Sequence, residues 1–228
     1  MSERLVIPDR ADAESELSVA HPWWQFSVRF NVAVSQSVPV VRMHERESEG
    51  VIMRWGLVPQ PAKGDVARRV CSLVRADVLL SSEDFRGAWF NGQRGIVPLA
   101  GYYVWQRTQA GYRQPYYVRL VNRLVFGVAV LWDRSVTDDD DVVESCALLT
   151  VPANPLLAEI DNTTGQMPAI LRREVYDTWL RSTVADARGL LETHHQTRMV
   201  SHPVAPYVNH LEFDEPLLIR PAPQEPVQ

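Results

Sequence analysis

Apolar runs along the chain are short and closed off by glycine, proline, asparagine or charged residues, the mark of strands rather than of long helices. The pattern predicts strands at Val38–His44, Gly50–Trp55, Val70–Ala76, Gly95–Pro98, Tyr102–Arg107, Pro115–Leu120 and Arg123–Trp132. Val142–Val151 is almost continuously apolar, which predicts a central strand buried on both faces. Gln109–Arg113 (QAGYR) and Val121–Asn122 read as hairpin turns between consecutive strands. Helices are fewer. Ser81 followed by Asp84 suggests a cap for a helix through Trp89. Ala153–Ile160 allows one or two turns, and Thr183–Glu192 another short helix. The clearest helix is Arg172–Arg181, where Val175, Trp179 and Leu180 share a face. Predominant hairpins imply antiparallel pairing in a single, strand-rich α+β domain.

No internal repeat or linker divides the 228 residues, so one domain over residues 1–220 is expected, followed by a polar, proline-rich and disordered tail at 221–228 (PAPQEPVQ). The acidic run Asp138–Asp141 lacks calcium-loop spacing and reads as a solvated hairpin loop. Apolar residues make up 46% and charged residues 22%, which excludes collagen-like and disordered classes. No stretch has the roughly 20 apolar residues of a membrane span, and the N-terminal MSERLVIPDRADAESEL lacks the order of a secretory signal. The cytoplasm is the expected compartment. Cys71 and Cys146, both in apolar β-type stretches, are too few for a disulfide framework or a zinc site and are expected to behave as small hydrophobes.

Net charge is −5, so the whole-molecule field does not point to nucleic acid. Lys63 is the only lysine among 23 basic residues, leaving 22 arginines. Arginine's planar fork suits phosphate and base stacking, but a coding bias that replaces lysine with arginine is the better account of the ratio. Locally, Arg42, Arg46, Arg54, Lys63, Arg68, Arg69 and Arg75 against Glu45, Glu47, Glu49 and Asp65 give +3 over residues 42–75. Phosphate loops, HExxH, GxSxG and CxxC are all absent, and no metal or cofactor is expected. Of the histidines, His194–His195 reads as an exposed loop feature. His202, beside an extended segment, stands open between a structural role and acid, base or DNA-contact work.

A set of local patterns carries more. They are FNVAVSQSVPVV from Phe30, RWGLVPQ from Arg54, VRAD from Val74, RGIVPLAGYYVW from Arg94, FGVAVLWD from Phe126, LLTVPANPLLAEI from Leu148, QMPAIL from Gln166 and HPVAPYVN from His202. In this order and spacing, from about Met1 to Asn209, the chain resembles the SRAP family of SOS response-associated peptidases and abasic-site processing proteins. The resemblance implies a barrel-like, mainly antiparallel sheet. It also implies binding of single-stranded DNA at an abasic site, where a cysteine after the initiator methionine closes a thiazolidine with the sugar aldehyde. An asparagine, a glutamate and a histidine assist.

At each reactive position this sequence differs. Met1-Ser2-Glu3-Arg4-Leu5 stands where the family has Met-Cys-Gly-Arg-Phe, so Ser2 takes the nucleophile's place. A serine hydroxyl lacks the thiolate that makes cysteine reactive near neutrality. The asparagine position is Leu73 and the glutamate position Val104; the histidine falls at Asp161 or Thr164, in a segment three residues longer. Leucine and valine neither donate, accept nor titrate. Arg4, Arg75, Trp105, Thr150 and His202 match positions that line the family's DNA groove. The expectation is a degenerate family member that binds single-stranded or abasic-site DNA without crosslinking it. An enzyme using Ser2 and a protein-interaction module that keeps only the fold remain the rivals, and oligomeric state is open.

Overall fold

The computed structural model describes residues 4–58, 70–136 and 141–222. The elements in order are β1 (Arg4–Ile7), α1 (Arg10–Leu17), β2 (His21–Pro22), β3 (Arg29–Ala33), β4 (Ser37–His44), β5 (Glu47–Trp55), β6 (Leu73–Arg75), α2 (Glu83–Phe90) and β7 (Arg94–Leu99). Then come β8 (Gly101–Arg107), β9 (Arg113–Leu120), β10 (Phe126–Val136), β11 (Val142–Pro152), α3 (Pro155–Ile160), β12 (Gln166–Pro168), α4 (Tyr176–Arg181), α5 (Val184–Gly189) and β13 (Met199–Pro203).

Strands β11, β10, β7, β4 and β5 each pair with the next, and β5 in turn meets β11 at Arg54↔Ser145 and Trp55↔Cys146, which closes a barrel. Closure removes the sheet edges. Most pairings are antiparallel, as the hairpins implied. β5 and β6 against β11, and β2 against β5, are parallel. β11 is the central strand, buried from Ser145 through Val151. A second sheet runs β13-β9-β8-β1-β3. Its inner face joins the barrel core, and its outer face carries a smaller cluster of Val6, Tyr103, Tyr117, Val204, Val208 and Leu218.

Several boundaries differ from the sequence reading. The helix expected over Arg172–Arg181 is a 3-10 turn at Arg173–Val175 followed by α4, because Val175 sits at φ −107°, ψ 4°, outside helical geometry. The residue before α2 is Ser82, not Ser81. β10 begins at Phe126 and extends to Val136, and β6 keeps only three of the residues predicted for its strand. Asp138–Asp141 lies mostly outside the described residues. Pro221 bridges Val204 and the Ala222 N–H donates to the Pro203 carbonyl, so the chain stays on the fold to the last described residue. No helix among the described residues is long and apolar enough to cross a membrane.

Candidate functional site

Side chains alternate across a strand, and on β8 that alternation divides the expected site. Tyr102 and Val104 turn into the main core, whereas Tyr103 and Trp105 turn to the outer cluster. Val104, at the glutamate position, is 1% exposed among apolar neighbours. Leu73, at the asparagine position, packs half-buried against the same core and pairs with Leu148 on β11. Ser2 lies outside the described residues.

The histidine position resolves into a shared arrangement rather than one residue. Asp161 follows the last turn of α3 and is 2% exposed. Its carboxylate accepts from the Thr163 hydroxyl at 2.7 Å and the Thr164 hydroxyl at 2.6 Å. Thr164 Oγ1 also accepts from the Gln166 N–H at 3.4 Å, and Gln166 Oε1 accepts from the Thr150 hydroxyl at 3.2 Å. Burial opposes ionisation of Asp161. The hydrogen bonds it accepts, those of Thr164 and Thr163 among them, outweigh that cost and hold the carboxyl at about 2. Burial and then the Asp161 charge push the Tyr102 phenol well above its ordinary range. The Tyr102 hydroxyl is buried and has no hydrogen-bond partner among the described residues. The site therefore keeps one ionised acid and one neutral phenol. Sequence reasoning overlooked Tyr102, since nothing in the residue order separates it from any other barrel tyrosine.

The five groove positions fall into separate groups. Arg75 and Thr150 are register partners across β6 and β11. Trp105 and His202 share the outer face of the second sheet, linked by ring contacts from Trp105 to Tyr103 at 6.5 Å, Tyr103 to Tyr117 at 5.6 Å and Tyr117 to His202 at 5.7 Å. Arg4, half-buried, opens β1 opposite Ala33.

Trp105, His202, Thr150 and Arg75 each already have a polar partner. The Trp105 indole donates to Asn209 at 2.9 Å, and His202 Nε2 donates to the Ile219 carbonyl at 2.9 Å. That leaves only Nδ1 of the His202 ring for a further partner. Arg75 is exposed and clasped by Asp77, through Nε at 3.0 Å and through a second contact from its NH2 group. The hydrogen bond from Arg75 holds the Asp77 carboxyl low, and the pairing raises Arg75 in turn.

The locally basic stretch is likewise offset. Arg42 donates to Glu49 at 2.7 Å and to Glu144 at 2.9 Å, Arg54 donates to Ser35, and Lys63, Arg68 and Arg69 lie outside the described residues. Trp55 is fully buried and donates to the Ser72 carbonyl. Cys71 is half-buried and Cys146 buried, the latter pushed up to about 12 by desolvation. Among the described residues, no group of His, Cys, Asp or Glu is placed to hold a metal ion.

A model of the SOS response associated peptidase (SRAP) family matches residues 4–211. The chain is 26% identical over 201 residues to the abasic site processing protein YoqW of Bacillus subtilis strain 168, covering 87% of this chain and 88% of that protein. It is 26% identical over 246 residues to the abasic site processing protein HMCES of Mus musculus, covering 88% of this chain and 68% of that one. Among solved structures, a protein from Bacteroides thetaiotaomicron superposes with TM-score 0.77 at 25% identity over 85% of each chain. One from Bordetella bronchiseptica gives 0.78 at 23% identity, covering 90% of this chain and all of that one, and so shares the fold.

Proposed function

Because the chain belongs to the SOS response associated peptidase family, matched over residues 4–211, we propose that it serves the DNA-damage response as a reversible binder of single-stranded or abasic-site DNA rather than as a crosslinking enzyme. Relatives named as abasic site processing proteins support the DNA side of this reading. The observation that carries the second half is Val104: where the resemblance puts a proton-transfer carboxylate, a valine sits 1% exposed in the main core. A valine cannot carry a proton, and Leu73 beside β11 cannot position a substrate through hydrogen bonds. Arg4, Arg75, Trp105, Thr150 and His202 are the proposed DNA-contacting positions, with Arg75 exchanging Asp77 for a backbone phosphate. An exposed pair of that kind is worth little in water, so the exchange costs little.

One observation favours a second reading. Asp161, one of the two candidates for the position of the family's histidine, is buried and ionised. A carboxylate held that low is a weak base but can hold an ammonium, which an enzyme using Ser2 would need. A band retained on denaturing electrophoresis with abasic-site DNA would favour this second reading, whereas the binding itself is tested by a gel shift with single-stranded DNA, with and without an abasic site, over a salt series. Reversible binding that weakens with a log–log slope of about one per phosphate neutralised fits the proposal. Absence of binding at low salt contradicts it.

A further inference from the structure

Away from the site above, the turn after β12 and the segment leading into β13 enclose a cavity of about 430 Å³, lined in part by Arg172, Leu190, Glu192, Thr193, His194 and Arg198. The sequence reading placed His194 in an exposed loop. In the fold it is 8% exposed, because its carbonyl accepts from Asn154 Nδ2 at 2.9 Å and so ties the segment to the start of α3. Its Nε2 is buried and has no hydrogen-bond partner among the described residues. A buried polar atom left unpaired costs stability unless a ligand or water meets it.

The charge around that imidazole is one-sided. Arg172 and Arg198 are both exposed and neither has a carboxylate partner among the described residues. Arg123 is close enough to act on His194, although its own guanidinium is paired with Glu16. Glu192 is the one carboxylate in the lining. Burial, followed by Arg198, Arg123, His195 and Arg172, holds His194 below its ordinary value, so the ring is neutral near pH 7. Two arginines and an unpartnered imidazole thus line one cavity that holds a single carboxylate, a set of groups that suits a doubly charged oxyanion. Ile170, Val175 and Leu190 supply an apolar wall for whatever carries the anion.

We propose that this cavity binds a phosphate group, with Arg172 and Arg198 as its charge partners and the His194 imidazole behind them. The volume exceeds that of the ion alone and falls within the range of small-molecule sites. The phosphate therefore belongs to a nucleotide-sized ligand or to the end of a DNA strand. This inference does not depend on the function proposed above, since none of these residues is among the groove positions.

The test is an NMR titration of the histidine rings of the full chain, with His194 assigned by comparison with His194→Gln. The probes are inorganic phosphate, dAMP and a short oligodeoxynucleotide with and without a 5′-phosphate, each against sodium chloride of equal ionic strength. The expected result is a saturable shift of the His194 ring with phosphate and dAMP, weakened roughly tenfold or more in Arg172→Ala/Arg198→Ala. Tighter binding of the 5′-phosphorylated strand than of dAMP assigns the phosphate to DNA, and the reverse assigns it to a small molecule. A His194 shift no larger than that with sodium chloride, or equal binding by the double arginine variant, overturns the proposal.

Discussion

Val104 and Asp161 illustrate opposite ways in which one position can change its chemistry. At Val104 the fold closes the core around a side chain that is 1% exposed. A carboxylate at that position would bury a charge among apolar core neighbours. Val104→Glu is therefore expected to cost roughly 3 kcal/mol or more in urea denaturation. A loss under about 1 kcal/mol would mean that the position opens to water. Asp161 is the reverse case, a charge the fold has learned to hold. Its folded value of about 2 lies below the ordinary 3.8, so its stabilisation is present above pH 4 and is lost as pH falls from about 4 towards 2. The contribution is about 2 kcal/mol. Asp161→Asn is expected to flatten the stability–pH curve in that window, and an unchanged slope would contradict the assignment. At this scale the sequence was informative about which residues had been replaced, since Leu73 and Val104 were readable from the motifs alone. It could not show that Thr163 and Thr164 close on Asp161, because a three-residue insertion makes alignment ambiguous and only the turn settles it.

At the scale of elements, close packing of backbone against ring explains some of the motif residues. A Cβ at Gly101, which opens β8, would lie 2.3 Å from the ring of Tyr117. That ring is itself anchored by its hydroxyl to the Ala100 carbonyl at 3.1 Å. Gly101→Ala is expected to destabilise by about 1–3 kcal/mol, measured by thermal melting, as the ring is forced aside. Asn154 caps α3 by accepting from the Leu157 N–H at 3.0 Å while donating to the His194 carbonyl. Asn154→Ala should therefore cost about 2 kcal/mol, more than a cap alone, and should loosen the cavity at His194. Strands with dense apolar alternation, β4, β8, β9 and β11, were legible from the pattern. β1 and β3 were not, being short, and neither was α1, whose buried residues are only Ala13 and Leu17. The parallel pairings of β11 with β5 and β6 join strands distant in sequence, and no local pattern encodes that contact.

For the whole molecule, the barrel-like α+β architecture and the family were readable in advance, because motifs spread from Phe30 to Asn209 constrain the fold jointly. What that reading could not supply was the distribution of charge. Two arginines of the stretch that looks basic in the sequence, Arg42 and Arg75, turn out to be engaged with Glu49, Glu144 and Asp77. The cationic groups left without acidic partners at Arg172 and Arg198 sit elsewhere, outside the motifs. With a net charge of −5 the protein gains no general attraction for nucleic acid. In the proposed reading its affinity for DNA therefore rests on a few local contacts, and the salt dependence scales with the number of phosphates they neutralise. In the proposed reading the architecture persists without the reaction. The sharpest test of that reading is denaturing electrophoresis after incubating the protein with single-stranded DNA carrying an abasic site. Protein and DNA are expected to run apart, with no retained species. A retained band that disappears in Ser2→Ala would contradict it.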